Sequence, residues 1–243
     1  MNMKHILGIF ALTMTLTVFG QKEYDDLRIL YADGKYEKLV KVADGYTNND
    51  KTKKDALPYF WLARGLYKIH QKGSADPVYK SAYKDAINAV SKGIKFDKSG
   101  SVLSQSEYVE FLDEIQGSIV EQITNEITAN NYRKAFGWVN SYKKISANPI
   151  GQMFLDGVCK FRTDDKSSAF TLWKQVDTQL KSINSIDAWS KGDIDMLRLG
   201  AIQTAECYVS SKKVEDAKAI LNKVSKWFAE DETFQEAYKA IAK

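Results

Sequence analysis

The chain has 243 residues, 44% of them apolar, and 35 basic against 31 acidic side chains give a formal net charge of +4. That length allows one large domain or a repeat array. Acids and bases interspersed along it describe a solvated surface rather than a polyanion-binding stripe, so nucleic acid is not an expected partner.

The first predicted element is an export signal. Lys4 precedes an apolar and Thr run from Ile6 to Phe19, and small Gly20 follows Val18 by two residues. Charged, then apolar, then small is the order of a cleavable signal peptide. The run of 14 residues is short of the roughly 20 that span a bilayer as a helix, which disfavours a retained anchor. The expected domains are therefore a signal peptide over 1–20, cut between Gly20 and Gln21, and a mature domain over 21–243. With no Cys near the cut, no lipid anchor is expected. No later segment reads as transmembrane, and a periplasmic or secreted location follows.

Beyond residue 21 the apolar residues recur with helical period, and few segments alternate as strands do. Asp76-Pro77 and Asn148-Pro149 place a capping side chain before a Pro whose missing N–H is harmless in a first turn, and Pro58 also falls near a helix start. Polar stretches at 45–54, 71–77, 97–106, 163–167 and 183–193 separate about ten helical segments.

Chemistry is sparse. His5 leaves with the signal, so His70, in the solvated helix-end sequence YKIHQKG, is the one imidazole left for a metal site or a triad. Phosphate-cradling glycine loops and a nucleophile elbow are absent from the sequence. Acidic pairs such as Asp164-Asp165 sit at helix starts, where capping and the helix dipole account for them. Residues 97–107 imitate a calcium loop through Asp97, Ser99, Ser101 and Glu107, but Val102 stands where the turn needs Gly and Tyr108 where a bidentate Glu belongs. A polar turn is the better reading. No enzyme, cofactor or metal is expected.

Five helical stretches repeat a pattern: YEKLVKVADGY (36–46), YKDAINAVSKGI (83–94), YRKAFGWVNSY (132–142), SAFTLWKQV (168–176) and EDAKAILNKV (215–224). Each carries a small or apolar anchor, at Leu39, Ala86, Ala135, Ala169 and Ala217, spaced 47, 49, 34 and 48 residues apart. Such steps fit helical-pair repeats. Gly157 and Ala169 lie twelve apart, as do Ala205 and Ala217, and TAECY (204–208) closes a helix of matching pattern. In these features the chain resembles a divergent tetratricopeptide-repeat protein over nearly all its mature length. About eleven residues more separate Ala63 from Ala86, Lys160 stands where the family has an aromatic, and Ile123 where it has a small residue.

The resemblance implies an all-α, right-handed α-solenoid of about five antiparallel hairpins, at 22–47, 54–97, 105–145, 149–182 and 190–228. A C-terminal capping helix would follow over 231–243, with Asp231 as N-cap. Small residues would let the helices of a pair approach while aromatics and Leu fill the gaps. It also implies that first helices line a concave face. Around Ala63 the facing residues would be Phe60, Arg64 and Tyr67 with Lys68; around Gly157, Phe154, Val158 and Phe161 with Arg162. Arg28, Tyr31 and Tyr24 would serve in the first hairpin, Val120, Thr124 and Ile127 in the third, and Ile202, Glu206 and Val209 in the fifth. Cys159 and Cys207 occupy equivalent places in successive hairpins. Helices there lie about 8–10 Å apart, beyond disulfide reach, so two buried, reduced thiols are expected.

Aromatic and Arg side chains anchor peptide segments well. The sequence therefore reads as a non-enzymatic exported adaptor that binds a protein or peptide of the cell envelope or secretion machinery. Its partner-binding residues would be Phe60, Arg64, Tyr67, Lys68, Phe154, Phe161 and Arg162. A carbohydrate-binding protein of a glycan-uptake system is the alternative, since aromatics also stack on sugar rings.

Overall fold

The computed structural model describes residues 24–242, and the expected signal peptide lies outside them. Among the described residues there are eleven α-helices and no strand: α1 (Asp25–Ala32), α2 (Tyr36–Asn48), α3 (Ala56–Lys72), α4 (Ala82–Phe96), α5 (Ser106–Thr128), α6 (Tyr132–Tyr142), α7 (Ile150–Arg162), α8 (Lys166–Leu180), α9 (Lys191–Ser210), α10 (Val214–Val224) and α11 (Glu232–Ala242). None of them is long and apolar enough to cross a membrane.

Consecutive helices pack as the pairs α1·α2, α3·α4, α5·α6, α7·α8 and α9·α10, and neighbouring pairs meet through α2·α3, α6·α7 and α7·α9. The helix α11 covers α9 and α10. Pair boundaries fall within a few residues of those read from the sequence. The five anchors Leu39, Ala86, Ala135, Ala169 and Ala217 are each 0% exposed, as are Ala63 and Ala205. Asp231 is an N-cap as expected, its Oδ1 accepting the Phe234 N–H at 2.8 Å.

Other helix starts differ from expectation. Asp76 caps Val78 at 2.9 Å, but that entrance leads into a three-residue 3-10 turn, Pro77–Tyr79, and α4 begins only at Ala82. This turn and its flanks hold the residues that widen the spacing between Ala63 and Ala86. Asn148 does not cap α7, because its side-chain amide is drawn to Asp193 at 2.8 Å.

Two hydrophobic clusters fill the interior. One takes its residues from α1 to α6 and adds Leu155, Cys159 and Met196 from α7 and α9; the other runs from Ile150 to Phe234. At the crossing of α7 and α9 the helices come close because glycines face each other. A Cβ on Gly151 would lie 2.6 Å from the Met196 carbonyl carbon, and one on Gly200 would lie 2.6 Å from the Phe154 Cβ. Within the α7–α8 pair, a Cβ on Gly157 would sit 2.2 Å from Trp173 Nε1, which donates to the Phe154 carbonyl at 3.1 Å. Cys159 and Cys207 are buried free thiols on α7 and α9. Burial pushes the first up to about 12 and the second up to about 11.

Candidate functional site

Of the residues expected to line an open wall, Arg28, Thr124, Glu206 and Val209 are exposed, but the aromatics are largely inside. Phe60, Tyr67, Phe154 and Phe161 are all buried, as are Tyr24, Ile127, Val158 and Ile202. This corrects the expected exposure of those residues, and the cause is packing between first helices and, for Phe161, against its pair partner α8. The Phe60 ring meets Tyr108 of α5 at 5.5 Å, and Tyr67 meets Phe111 at 6.0 Å. Phe154 is enclosed where α7 presses on Gly200 of α9. Phe161 stands against Trp173 and Phe170 of α8, at 5.8 and 6.0 Å.

The cations of that wall are engaged by the chain itself. Arg64, with its side chain only 13% exposed, donates to Glu107 at 2.9 Å, while its guanidinium lies 4.4 Å from the Tyr31 ring and 4.7 Å from Trp61. An aromatic box built from α1, α3 and α5 is thus filled from within. Lys68 pairs with Glu114 at 3.5 Å, and Gln71 donates to the same carboxylate at 3.0 Å. Glu107 and Glu114, two turns apart on α5, therefore clip α3 in place. Arg162 lies 5.8 Å over the Tyr132 ring, and its buried Nε has no hydrogen-bond partner among the described residues.

His70 is exposed and stacked flat on Tyr83, ring centroids 4.5 Å apart. In the calcium-like loop, the Asp97 carboxylate turns inward to accept the Val102 and Leu103 N–H groups at 3.1 and 2.9 Å, which closes the turn on itself.

A different place has the form of a site. The connections between successive pairs, 97–105, 143–149 and 181–190, converge at the beginnings of α5 and α9. Between them lies a cleft of about 390 Å³. Its walls include Ile94, Leu103, Ile145 and Trp189, and its long side is one stripe of α5: Val109, Leu112, Asp113 and Gln116. Residues at these spacings share a helix face. Most apolar stripes are covered by a neighbour, but Val109 is among the exposed large apolar side chains.

At the back of the cleft is a buried anion. Asp193, 2% exposed in the first turn of α9, accepts hydrogen bonds from Tyr142 Oη at 3.0 Å, Ser146 Oγ at 2.5 Å and Asn148 Nδ2 at 2.8 Å. Its backbone N–H is capped by Ser190 at 3.2 Å, and the positive end of the α9 dipole lies under the carboxylate. Burial and the charge of Asp193 together push the Tyr142 hydroxyl well above the ordinary tyrosine range. These bonds pin α6 and the 143–149 connection to α9, a join between the two hydrophobic clusters.

Asp113 stands in front of that anion, half-buried, with no hydrogen-bond or ion-pair partner among the described residues. Burial raises its carboxyl above the usual range, the nearby Asp193 charge raises it further, and Lys191 opposes both. Gln116, 1% exposed, donates through Nε2 to the Ile145 carbonyl at 2.9 Å, while its Oε1 has no partner among the described residues. The cleft thus combines apolar walls, surplus acceptors and negative charge. Its signals in the sequence were Trp189, a large aromatic in the otherwise polar stretch INSIDAWSKGD, and the acid Asp113 beside apolar Leu112.

Comparison with protein-family models, curated proteins and solved structures finds no match to this chain.

Proposed function

We propose that this protein is a non-enzymatic, exported scaffold that binds a protein or peptide of the cell envelope. Its helix pairs would wind as a right-handed, tetratricopeptide-like solenoid, and its first 20 residues would be removed on export. Support for the repeat reading comes from five equivalent anchors, all buried where paired helices meet. A single pair cannot cover its own apolar face, so stacking is what makes such a chain stable.

The observation that carries the binding reading is the cleft at the inter-pair connections. It is apolar and opens beside exposed Val109 on a long helix, which suits an extended or helical segment of another protein. The carboxylate deepest in it, Asp193, is committed to three structural hydrogen bonds. Docking would centre here and not on Phe60, Tyr67, Phe154 and Phe161, which serve the core.

Affinity capture of the tagged chain from an envelope fraction, read by quantitative mass spectrometry, tests the proposal. Wild type is expected to enrich a discrete protein. Leu112→Glu, which places a charge on the half-buried cleft wall, is expected to lose it. A wild-type profile identical to the tag alone would sink the scaffold reading.

A further inference from the structure

The cleft carries a sharper statement about what it holds, one that rests on the scaffold reading above. We infer that it receives a basic side chain of the partner segment, arginine or lysine, with the cationic head on Asp113 and the aliphatic stem along Leu112, Leu103 and Trp189.

Charge complementarity argues for this occupant. Asp113 is a half-buried carboxylate without a partner among the described residues, whereas Glu107 and Glu114 on the same helix are each paired to α3. Behind it Asp193 adds a second negative charge, held by neutral donors that do not cancel it. Lys191 is exposed at the rim, too far to form an ion pair with Asp113. The like charge of Asp193 raises the cost of charging Asp113 in this apolar cleft, and a bound cation relieves it. An anionic or purely apolar segment would leave that repulsion in place.

Shape agrees with charge. Arg and Lys bury their methylene stems on apolar surface while their heads seek polar partners, and the cleft lining joins Leu103, Leu112 and Trp189 to the acid Asp113. A guanidinium on a partly desolvated carboxylate forms a charge-assisted bond of the stronger kind. An aromatic beside it, here Trp189, adds attraction for the same cation.

The test uses the mature chain and fluorescein-labelled octapeptides of alternating leucine and arginine. Matched peptides carry citrulline, which keeps the shape of arginine and removes its charge. Fluorescence polarisation is expected to show the arginine peptide binding at least about ten-fold tighter than the citrulline peptide. Asp113→Asn, isosteric and free of the repulsion with Asp193, should fold as wild type in a thermal melt and reduce that preference below about three-fold. Lys41→Gln, exposed on α2 and outside the cleft lining, should leave it unchanged. Equal affinity for the two peptides, no binding of either, or a preference that survives Asp113→Asn each overturns the inference. So does a dimer in sedimentation that Asp113→Asn dissociates, which would make a second copy the occupant. An envelope partner captured equally by wild type and Asp113→Asn would overturn the basic-side-chain assignment alone and leave the scaffold standing.

Discussion

Two pairs of first helices solve the same packing problem in opposite ways. Between α3 and α5 the gap is filled by long side chains: Phe60 and Tyr67 interleave with Tyr108 and Phe111, and Arg64 and Lys68 reach across to Glu107 and Glu114. Between α7 and α9 it is closed by removing side chains, since Gly151 and Gly200 bring the helices together and Phe154 is sealed in as a consequence. Phe60 and Phe154 hold the same place relative to Ala63 and Gly157. Both are buried, one by aromatics arriving from the next helix and the other by the next helix itself. The distance between helices decides what a given register position does, and glycines on the facing helix set that distance.

The largest effect is therefore expected where the close approach is denied. Gly151→Val would force atoms into the Met196–Leu197 backbone, which cannot swing away as a side chain can. Overpacking costs about 1–3 kcal/mol, with the upper end expected against backbone, and is readable as a shift in a urea or thermal melt. By contrast Gly117→Ala and Gly137→Ala, both helical positions with open space around the missing Cβ, should stabilise by about 0.5–1 kcal/mol. If Gly151→Val melted with wild type, the account of the α7–α9 crossing would be wrong.

Next is the pin between the two clusters. Asp193→Ala strands the buried Tyr142 hydroxyl and the Asn148 amide, and each unmet buried group costs about 1–3 kcal/mol. A loss of about 2–3 kcal/mol is expected, with hydrogen exchange rising first in α6 and the first turn of α9. Uniform exchange across the chain would argue that Asp193 does not join the halves.

How far the sequence led is visible in these residues. The anchors Leu39, Ala86, Ala135, Ala169 and Ala217 could be read because a small residue recurring at a helix contact leaves a periodic trace, and all five are buried. Asp231 could be read because a cap is local. The burial of Phe60, Tyr67, Phe154 and Phe161 was not legible, since it depends on how closely a second helix of unknown register approaches. Pairing of Arg64 with a residue 43 positions away is of the same kind. The cleft was hidden for a related reason: its walls come from three separate connections, and only folding gathers Ile94, Asp113, Ile145 and Trp189 together.

A smaller contrast separates the two cations of α3. Arg64 sits inside the aromatic box with its charge paired, so Arg64→Met should cost about 1–2 kcal/mol, mostly through lost contact with Tyr31, Trp61 and Glu107. Lys68 pairs with Glu114 closer to solvent, and Lys68→Met should cost about 0–0.5 kcal/mol and less still at high salt. Equal losses would mean that the box around Arg64 contributes nothing beyond a surface ion pair.

The smallest effect distinguishes two carboxylates by the sign of their pH response. Burial raises Asp113 and the Asp193 charge adds to it. Its contribution to stability is therefore fully present below its unfolded pKa, near 4, and lost as pH rises through the folded value. At Asp231 burial pulls upward too, but the Phe234 N–H and the Arg198 guanidinium, which lies 2.5 Å away, win and lower it. That contribution is present above the unfolded pKa and lost as pH falls through the folded one. Melting temperatures of Asp113→Asn and Asp231→Asn, each taken relative to wild type between pH 3 and pH 7, should consequently diverge in opposite directions. Wild type should gain on Asp113→Asn toward acid and on Asp231→Asn toward neutrality. Parallel responses would mean that Asp113 already has a cation within the chain, and the cleft would then have no charge left to offer a partner.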